Sequence, residues 1–344
     1  MEREDQRAIQ TTIISTRIRL ARNFAAYPFP GKMDEAQAED IVYLVEAGLK
    51  LAGNFEKYEI SRLEKEQLGL LQEEYLISPA LLKSEGGAVF VSGDERVSIM
   101  VNEEDHLREQ YIYKGFDLKK AYARISKIDE TLSCRYDFAY DDKLGFITAC
   151  PSNLGTGMRA SVMMFLPGMV WNGDFKRILP MLKEGGMTVR GAFGEGSSAK
   201  GYLYQISNER TLGKTETEIL EEVEEVALYL CELEMRARKR MRLVAEMETR
   251  DRCLRAYGVL TNCAILGLNE FMEKIADVKL GWILGFLEVR DEEKFNEFLD
   301  DMRPAVFKLN NGLKNEDERL CDEVRAEVVS SVLPSLVWVA KDLK

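Results

Sequence analysis

Residues 86–110, "GGAVFVSGDERVSIMVNEEDHLREQ", constrain the fold more than any other stretch. Ala88-Val89-Phe90-Val91 and Val97-Ser98-Ile99-Met100-Val101 are apolar runs of strand length, and Ser92-Gly93-Asp94 between them has turn chemistry. The reading is two strands joined by a turn, the second ending in a crowd of ionisable groups. Elsewhere the period changes. Residues 34–53, 61–75, 117–134 and 175–185 read as helices, while Phe146–Ala149, "MTVRG" (187–191) and "YLYQISN" (202–208) read as strands. Thr215-x-x-Glu218 predicts a capping box, after which Ile219, Val223, Val226, Leu230 and Leu233 fall on one helix face. The first half of that helix is acidic and its second half basic, the order that complements the macrodipole. Past Arg250 the pattern stays helical, with breaks expected at Gly258, Gly267, Pro304 and Asn310-Asn311-Gly312. These patterns describe a mixed α/β body followed by a smaller helical domain.

Composition removes several functions. The 344 residues are 46% hydrophobic and 31% charged, with a net charge of -12, so nucleic acid is not an expected partner. The longest near-apolar run, Val162 to Trp171, is too short for a bilayer, and "MEREDQ" is not a signal peptide. Neither a membrane nor a targeting role is therefore expected. Six cysteines stand at 134, 150, 231, 253, 263 and 321 without a CxxC pair, which argues against a zinc site and fits a reducing cytoplasm. With His106 the single histidine, acid–base work otherwise falls to carboxylates, Cys, Lys or Tyr.

Four constellations remain. In "STRIRLAR" (15–22), Arg17 and Arg19 share one face of an extended segment and present two planar donor forks, suited to a polyphosphate. "NEEDHLR" (102–108) places carboxylates and Arg108 at a strand end. "CPSNLGTGMR" (150–159) sets Cys150 before a glycine-rich loop and Arg159; the loop lacks the Walker A ending and is weak evidence alone. In "VRGAFGEGS" (189–197), Arg190 ends a strand and Glu195 lies between glycines. Each alone suits a solvated edge or an ordinary loop. Together, five arginines (Arg17, Arg19, Arg108, Arg159, Arg190) beside two carboxylate sites suit a transferring phosphoryl group and a cationic acceptor. A guanidinium acceptor, with a pKa above about 12, needs positioned bases to become nucleophilic.

"STRIRLARN", "LISP" (76–79), "VSIMVNEEDHLR", "CPSNLGTGMRASVMMFLP", "VRGAFGEGSSAKGYLYQISNERTLGKTE" and "RAYGVLTNC" (255–263), in this order, resemble the phosphagen (ATP:guanido) kinases, specifically their bacterial protein-arginine-phosphorylating branch. The resemblance runs from about Thr12 over nearly the whole chain. It implies an α+β fold: a phosphagen-kinase-like catalytic domain over 12–247, with a central antiparallel sheet flanked by helices and a small N-terminal helical part at about 31–75. Residues 1–11 would be a lead, and 248–344 a C-terminal helical domain for dimerisation and phosphoarginine sensing. ATP, accompanied by Mg²⁺, would be bound by Ser15, Thr16, Arg17, Ile18, Arg19, Tyr75, Arg108, Arg159, Ala160, Ser161, Val162, Met163, Arg190, Gly191, Ala192, Phe193, Gly194 and Glu195. Glu104 and Glu195 would be the catalytic carboxylates, beside Glu103, and Cys150 would assist the guanidinium. The product implied is phosphoarginine on proteins that expose arginines, marking them for a Clp ATPase and its protease and relieving a heat-shock repressor. A small zinc-containing activator protein would assist a cytoplasmic homodimer. No resident metal is implied.

Three positions depart from the family pattern. Tyr75 stands where a histidine is common, and Ser198 replaces an acid after "GEGS". The phosphoarginine-sensing motif reads Cys321-Asp322-Glu323-Val324-Arg325-Ala326, without its first arginine unless Arg319 substitutes. The alternatives are a silent phosphoarginine-binding adaptor and a kinase of a free guanidino metabolite. The intact arginines, Glu104 and Glu195 argue against the adaptor.

Overall fold

The structure, a computed structural model, describes residues 2–94, 96–191, 200–313 and 317–341. Its strands are β1 (Ile13–Arg22), β2 (Phe55–Glu59), β3 (Ala88–Ser92), β4 (Val97–Val101), β5 (Leu107–Lys114), β6 (Tyr140–Asp141), β7 (Gly145–Phe146), β8 (Met158–Phe165), β9 (Met187–Gly191), β10 (Leu203–Asn208), β11 (Leu287–Val289) and β12 (Val337–Val339). Its helices are α1 (Glu2–Thr12), α2 (Glu35–Ala52), α3 (Lys65–Glu73), α4 (Leu118–Ser133), α5 (Pro167–Trp171), α6 (Asp174–Glu184), α7 (Glu216–Val244), α8 (Glu246–Leu260), α9 (Leu268–Leu284), α10 (Glu292–Asp301), α11 (Pro304–Asn310) and α12 (Glu318–Leu336).

Eight strands form one sheet in the order β2-β3-β4-β5-β1-β8-β10-β9, and every pairing is antiparallel. Alternation along these strands gives the sheet two unlike faces. One turns Ile18, Leu20, Ile99, Ala160, Val162 and Ile206 into the main core. There they meet Ile41 and Val45 of α2, Ile125 and Ile128 of α4, and Ile219, Val223 and Leu230 of α7. The other face is covered at its β3–β4 end, where Val89, Val91 and Met100 pack under Leu68 and Leu71 of α3 and under Leu76, Ile77 and Leu81. Its remaining area carries the arginines.

Helix α7 begins with the expected capping box: Thr215 and Glu218 satisfy each other's backbone N–H. Its basic half is not simply a solvated surface. Arg238 is buried, bonded to Glu234 at 2.7 Å, to the Phe165 carbonyl at 3.1 Å and to Thr11 at 3.1 Å. Glu234 also accepts from Gly168 and Met169 N–H, both at 2.9 Å, at the start of α5. One buried ion pair thus ties α1, β8, α5 and α7 together, with further hydrogen bonds to backbone and to the Thr11 hydroxyl. The C-terminal helices have a core of their own, including Phe271, Phe295, Phe298, Phe307, Val329 and Leu333.

Two expectations fail locally. Gly258 lies inside α8 instead of breaking it, because Cys253, Ala256 and Leu260 are buried around it and outweigh its helix penalty of about 1 kcal/mol. The break falls at Ala245. The strand expected over Phe146–Ala149 is only Gly145–Phe146; beyond it Ile147 N–H bonds Ala139 and Ala149 N–H bonds Asp105.

Candidate active site

The arginine face follows from register. Arg19 of β1 lies opposite Gln110 of β5 on one side and Arg159 of β8 on the other; Arg17 lies opposite Ile112 and Ser161. Arg108 is opposite Ala21, and Arg190 of β9 is opposite Gln205 of β10. The side chains of Ser15, Arg17, Arg19, Arg108, Arg159, Ser161, Met163 and Arg190 therefore share one face. Thr16, Ile18, Ala160 and Val162, expected at the nucleotide, turn the opposite way. All four are fully buried, Thr16 bonds the Gly115 carbonyl, and the other three lie in the main core. The two-residue repeat of a strand is the physical reason, and it leaves these four side chains out of the arginine face.

Neutral partners aim the guanidinium groups. Gln205 accepts from Arg17, and Ser207 Oγ accepts from Arg159 Nε at 3.2 Å and Nη2 at 2.9 Å. Burial lowers the Arg17 pKa to about 10; Tyr75 opposes this, while Arg108, Arg159 and Arg190 add to it. The Arg19 pKa is also lowered, by burial first, then by Arg17, Arg108 and Arg159, with Glu103 opposing, and its buried Nε has no partner. Buried guanidinium groups set beside one another favour a polyanion, which would offset both the desolvation and the like charge.

The carboxylates lie at one edge of this face, in the tight turn from β4 to β5. Asn102, in the left-handed region at φ 58°, donates to the Ala38 and Gly86 carbonyls at 2.9 and 3.1 Å. Each following acid has a separate place. Glu103 is buried: Oε1 takes Arg108 at 2.7 Å and also bonds Ser78, so it fixes Arg108. Glu104 is 44% exposed in its side chain and only 3.8 Å from Arg108 Nη2. Asp105 is buried and accepts from Asn23 at 2.6 Å and from Ala149 N–H at 2.7 Å. That last bond holds the residue before Cys150 against the turn that carries Glu104. His106 accepts from Phe24 N–H at Nδ1 and lies 2.8 Å from the Pro28 carbonyl at Nε2. Both ring nitrogens are committed, and burial lowers its pKa, so the single histidine is structural.

Cys150 is half-buried, with Sγ 3.0 Å from Ser152 Oγ. The glycine-rich loop after it is no phosphate cradle. Three of its N–H groups are taken: Gly155 by Phe146, Thr156 by Thr211, and Met158 by the Thr156 hydroxyl. Gly155 and Gly157 serve close packing instead. Both have positive φ, and a Cβ would meet Thr211 O at 2.4 Å in the first case and Ala21 O at 2.7 Å in the second.

Tyr75 lies at the α3 end of the arginine face, at φ 59°, with its carbonyl accepting from Gln110 Nε2 at 2.6 Å. Gly191 ends β9 beside Arg190, whereas Ala192, Phe193, Gly194 and Glu195 lie outside the described residues. In α12, Arg325 is buried and bonds Asp322 at 2.6 Å and the Leu266 carbonyl at 2.8 Å. Cys321 and Ala326 belong to the C-terminal core, while Arg319 is exposed and paired with Glu323 at 3.1 Å. Arg319 thus projects from a different side of the helix than Arg325. Val324 packs against the same core. Sequence reading missed Ser78, Asp105, Gln110, Gln205 and Ser207. Gln110 and Gln205 were accessible through alternation, since Gln110 is two residues from Arg108 and opposite Arg19, and Gln205 is opposite Arg190; Ser207 follows two residues after Gln205 on the same face.

Comparison with known proteins identifies the family. The ATP:guanido phosphotransferase C-terminal catalytic domain model matches residues 38–237, and the model described as protein-arginine kinase McsB C-terminal domain matches 246–339. A protein-arginine kinase of Caldanaerobacter subterraneus subsp. tengcongensis is 40% identical over 328 residues, covering 93% of this chain and 96% of that one. That of Bacillus subtilis is 37% identical over 305 residues, covering 87% and 84%. Among solved structures, lombricine kinase superposes with a TM-score of 0.59 at 25% identity, over 66% of this chain and 67% of the other. The duplicated taurocyamine kinase from Schistosoma mansoni, with bound transition state analog components, gives 0.61 at 26%, over 71% of this chain and 37% of its own. With catalytic-domain and C-terminal models both matched, and relatives aligned over most of their length, the chain belongs to the ATP:guanido phosphotransferase family.

Proposed function

We infer that the chain is an ATP-dependent protein-arginine kinase. The observation that carries this reading is one sheet face holding Arg17, Arg19, Arg108, Arg159 and Arg190, with exposed Glu104 at its edge. The arginines would hold the phosphates of ATP and offset charge as the γ-phosphoryl group moves. Glu104 is the candidate base, since Glu103 is buried and engaged by Arg108 and Ser78. It would take a proton from the acceptor guanidinium as that nitrogen bonds the γ-phosphorus. The bond from phosphorus to the β–γ bridging oxygen breaks, and ADP leaves. Glu195 is assigned as the second carboxylate, and Cys150, held near Glu104 through Asp105, as a contact to the guanidinium. Mg²⁺ would accompany ATP on its phosphates.

Exposed Glu104 fits an acceptor borne on a protein surface. A zinc-containing activator, a Clp ATPase acting on the product, relief of a heat-shock repressor, a homodimer built through the C-terminal helices and a cytoplasmic location complete the proposal by family likeness. Incubation with ATP and an unfolded arginine-rich protein, read as acid-labile phosphate on arginine, tests the activity. Glu104→Gln is expected to abolish transfer while nucleotide affinity changes by less than about threefold. Near-normal turnover of that variant would remove Glu104 as the base. Transfer to free arginine but not to protein would favour the metabolite kinase, and no transfer at all the adaptor.

A further inference from the structure

Helices α3 and α11 cap each other. Both carboxylate oxygens of Glu73 accept from Ala305 N–H, at 2.7 and 2.8 Å, and Val306 N–H lies 3.4 Å from Oε2. Pro304 opens α11, so Ala305 and Val306 carry N–H groups that the helix itself leaves unpaired. In the other direction, Arg303 Nη1 donates at 3.3 Å to the Glu73 carbonyl, in the last turn of α3. Gly69 permits the approach: a Cβ there would lie 3.3 Å from that of Ala305. Burial raises the Glu73 pKa, against the opposing pull of the two amides and Arg303. The carboxylate is held at this joint despite the cost of desolvation.

Tyr75 follows two residues later. A bulky residue at φ 59° is an outlier that its surroundings must hold in place. Its N–H bonds the Gln72 carbonyl at 3.0 Å, and its own carbonyl takes Gln110, which stands opposite Arg19. Burial raises the pKa of its phenol, and Arg17 opposes that rise. A short covalent and hydrogen-bonded path therefore runs from α11 to the arginine face.

We propose that the Glu73–Arg303 joint lets the C-terminal helices set the position of Tyr75 and, through it, the affinity of the arginine face for ATP. Glu73 and Arg303 are positioning residues, and the inference rests on the nucleotide reading above. Displacing α11 from α3 loosens the strained Tyr75 turn and so changes the hold of the arginine face on the nucleotide.

The test uses the full chain and a non-hydrolysable ATP analogue in calorimetry, with steady-state kinetics alongside. Glu73→Ala and Arg303→Ala are each expected to raise Kd and the KM for ATP about fivefold or more, with kcat within about twofold. A purely structural loss would lower the active fraction and leave KM alone. In a Tyr75→Ala background, adding Glu73→Ala is expected to change Kd no further. Arg303→Ala removes a part-exposed side chain and keeps the test in force should Glu73→Ala fail to fold. Wild-type affinity in Arg303→Ala, or an undiminished Glu73 effect without Tyr75, would overturn the proposal. Wild-type protein that binds no analogue would overturn the nucleotide reading itself.

Discussion

Arg159 shows what a single residue does at this site. Its guanidinium is aimed by Ser207 and shares its face with Arg17 and Arg19. A charge-assisted contact to phosphate contributes about 1.5–3 kcal/mol. Arg159→Ala is therefore expected to weaken ATP binding roughly 10- to 100-fold, measured by titration. Arg159→Lys should recover only part of this, because an ammonium is a point charge without the planar fork. Unchanged affinity in the alanine variant would remove Arg159 from the clamp. Residue types were legible here: an acid or arginine beside a strand end stood out in the sequence. Their division of labour was not. Three consecutive acids, Glu103, Glu104 and Asp105, differ in role because one turn buries the first and third and exposes the second.

At the scale of elements, the link between β1 and β8 depends on a glycine. Gly157 has φ 63°, and a Cβ there would lie 2.6 Å from Arg22 Nη1 and 2.7 Å from the Ala21 carbonyl. The left-handed conformation alone costs a non-glycine residue about 1–2 kcal/mol. The clash also forces β1 and β8 apart at the arginine row. Gly157→Ala is expected to lower stability by at least about 2 kcal/mol, read from the denaturant midpoint, with weaker nucleotide binding. Wild-type stability would contradict this packing. Most helices and strands were legible from period and capping, as Thr215 and Glu218 illustrate. Phe146–Ala149 was misread because its β-rich composition has no neighbouring strand to pair with beyond Phe146.

Across the whole molecule, the C-terminal helices grip the catalytic sheet on two flanks. One is the Glu73 joint. The other joins Tyr202, just before β10, to Asp277 of α9 and Arg252 of α8, with Arg252 also 4.1 Å over the Trp171 ring. Removing a buried carboxylate from such a group costs about 3–5 kcal/mol when both charges are buried. Arg252 is partly open, so Asp277→Ala is expected to cost about 2 kcal/mol, followed by thermal unfolding of the full chain. A loss below about 0.5 kcal/mol would show that this flank is not held by the carboxylate. The sequence by itself determined the chemistry: the arginines, the run of acids, the periods of the strands and helices, and the family they resemble. Tertiary structure decided which of those side chains meet. A strand turns alternate residues to opposite faces, so only register could place Arg17, Arg19, Arg108, Arg159 and Arg190 together and send Thr16, Ile18, Ala160 and Val162 into the core. Contacts far apart in sequence, such as Glu73 with Ala305, depend on helix ends that no local pattern brings together.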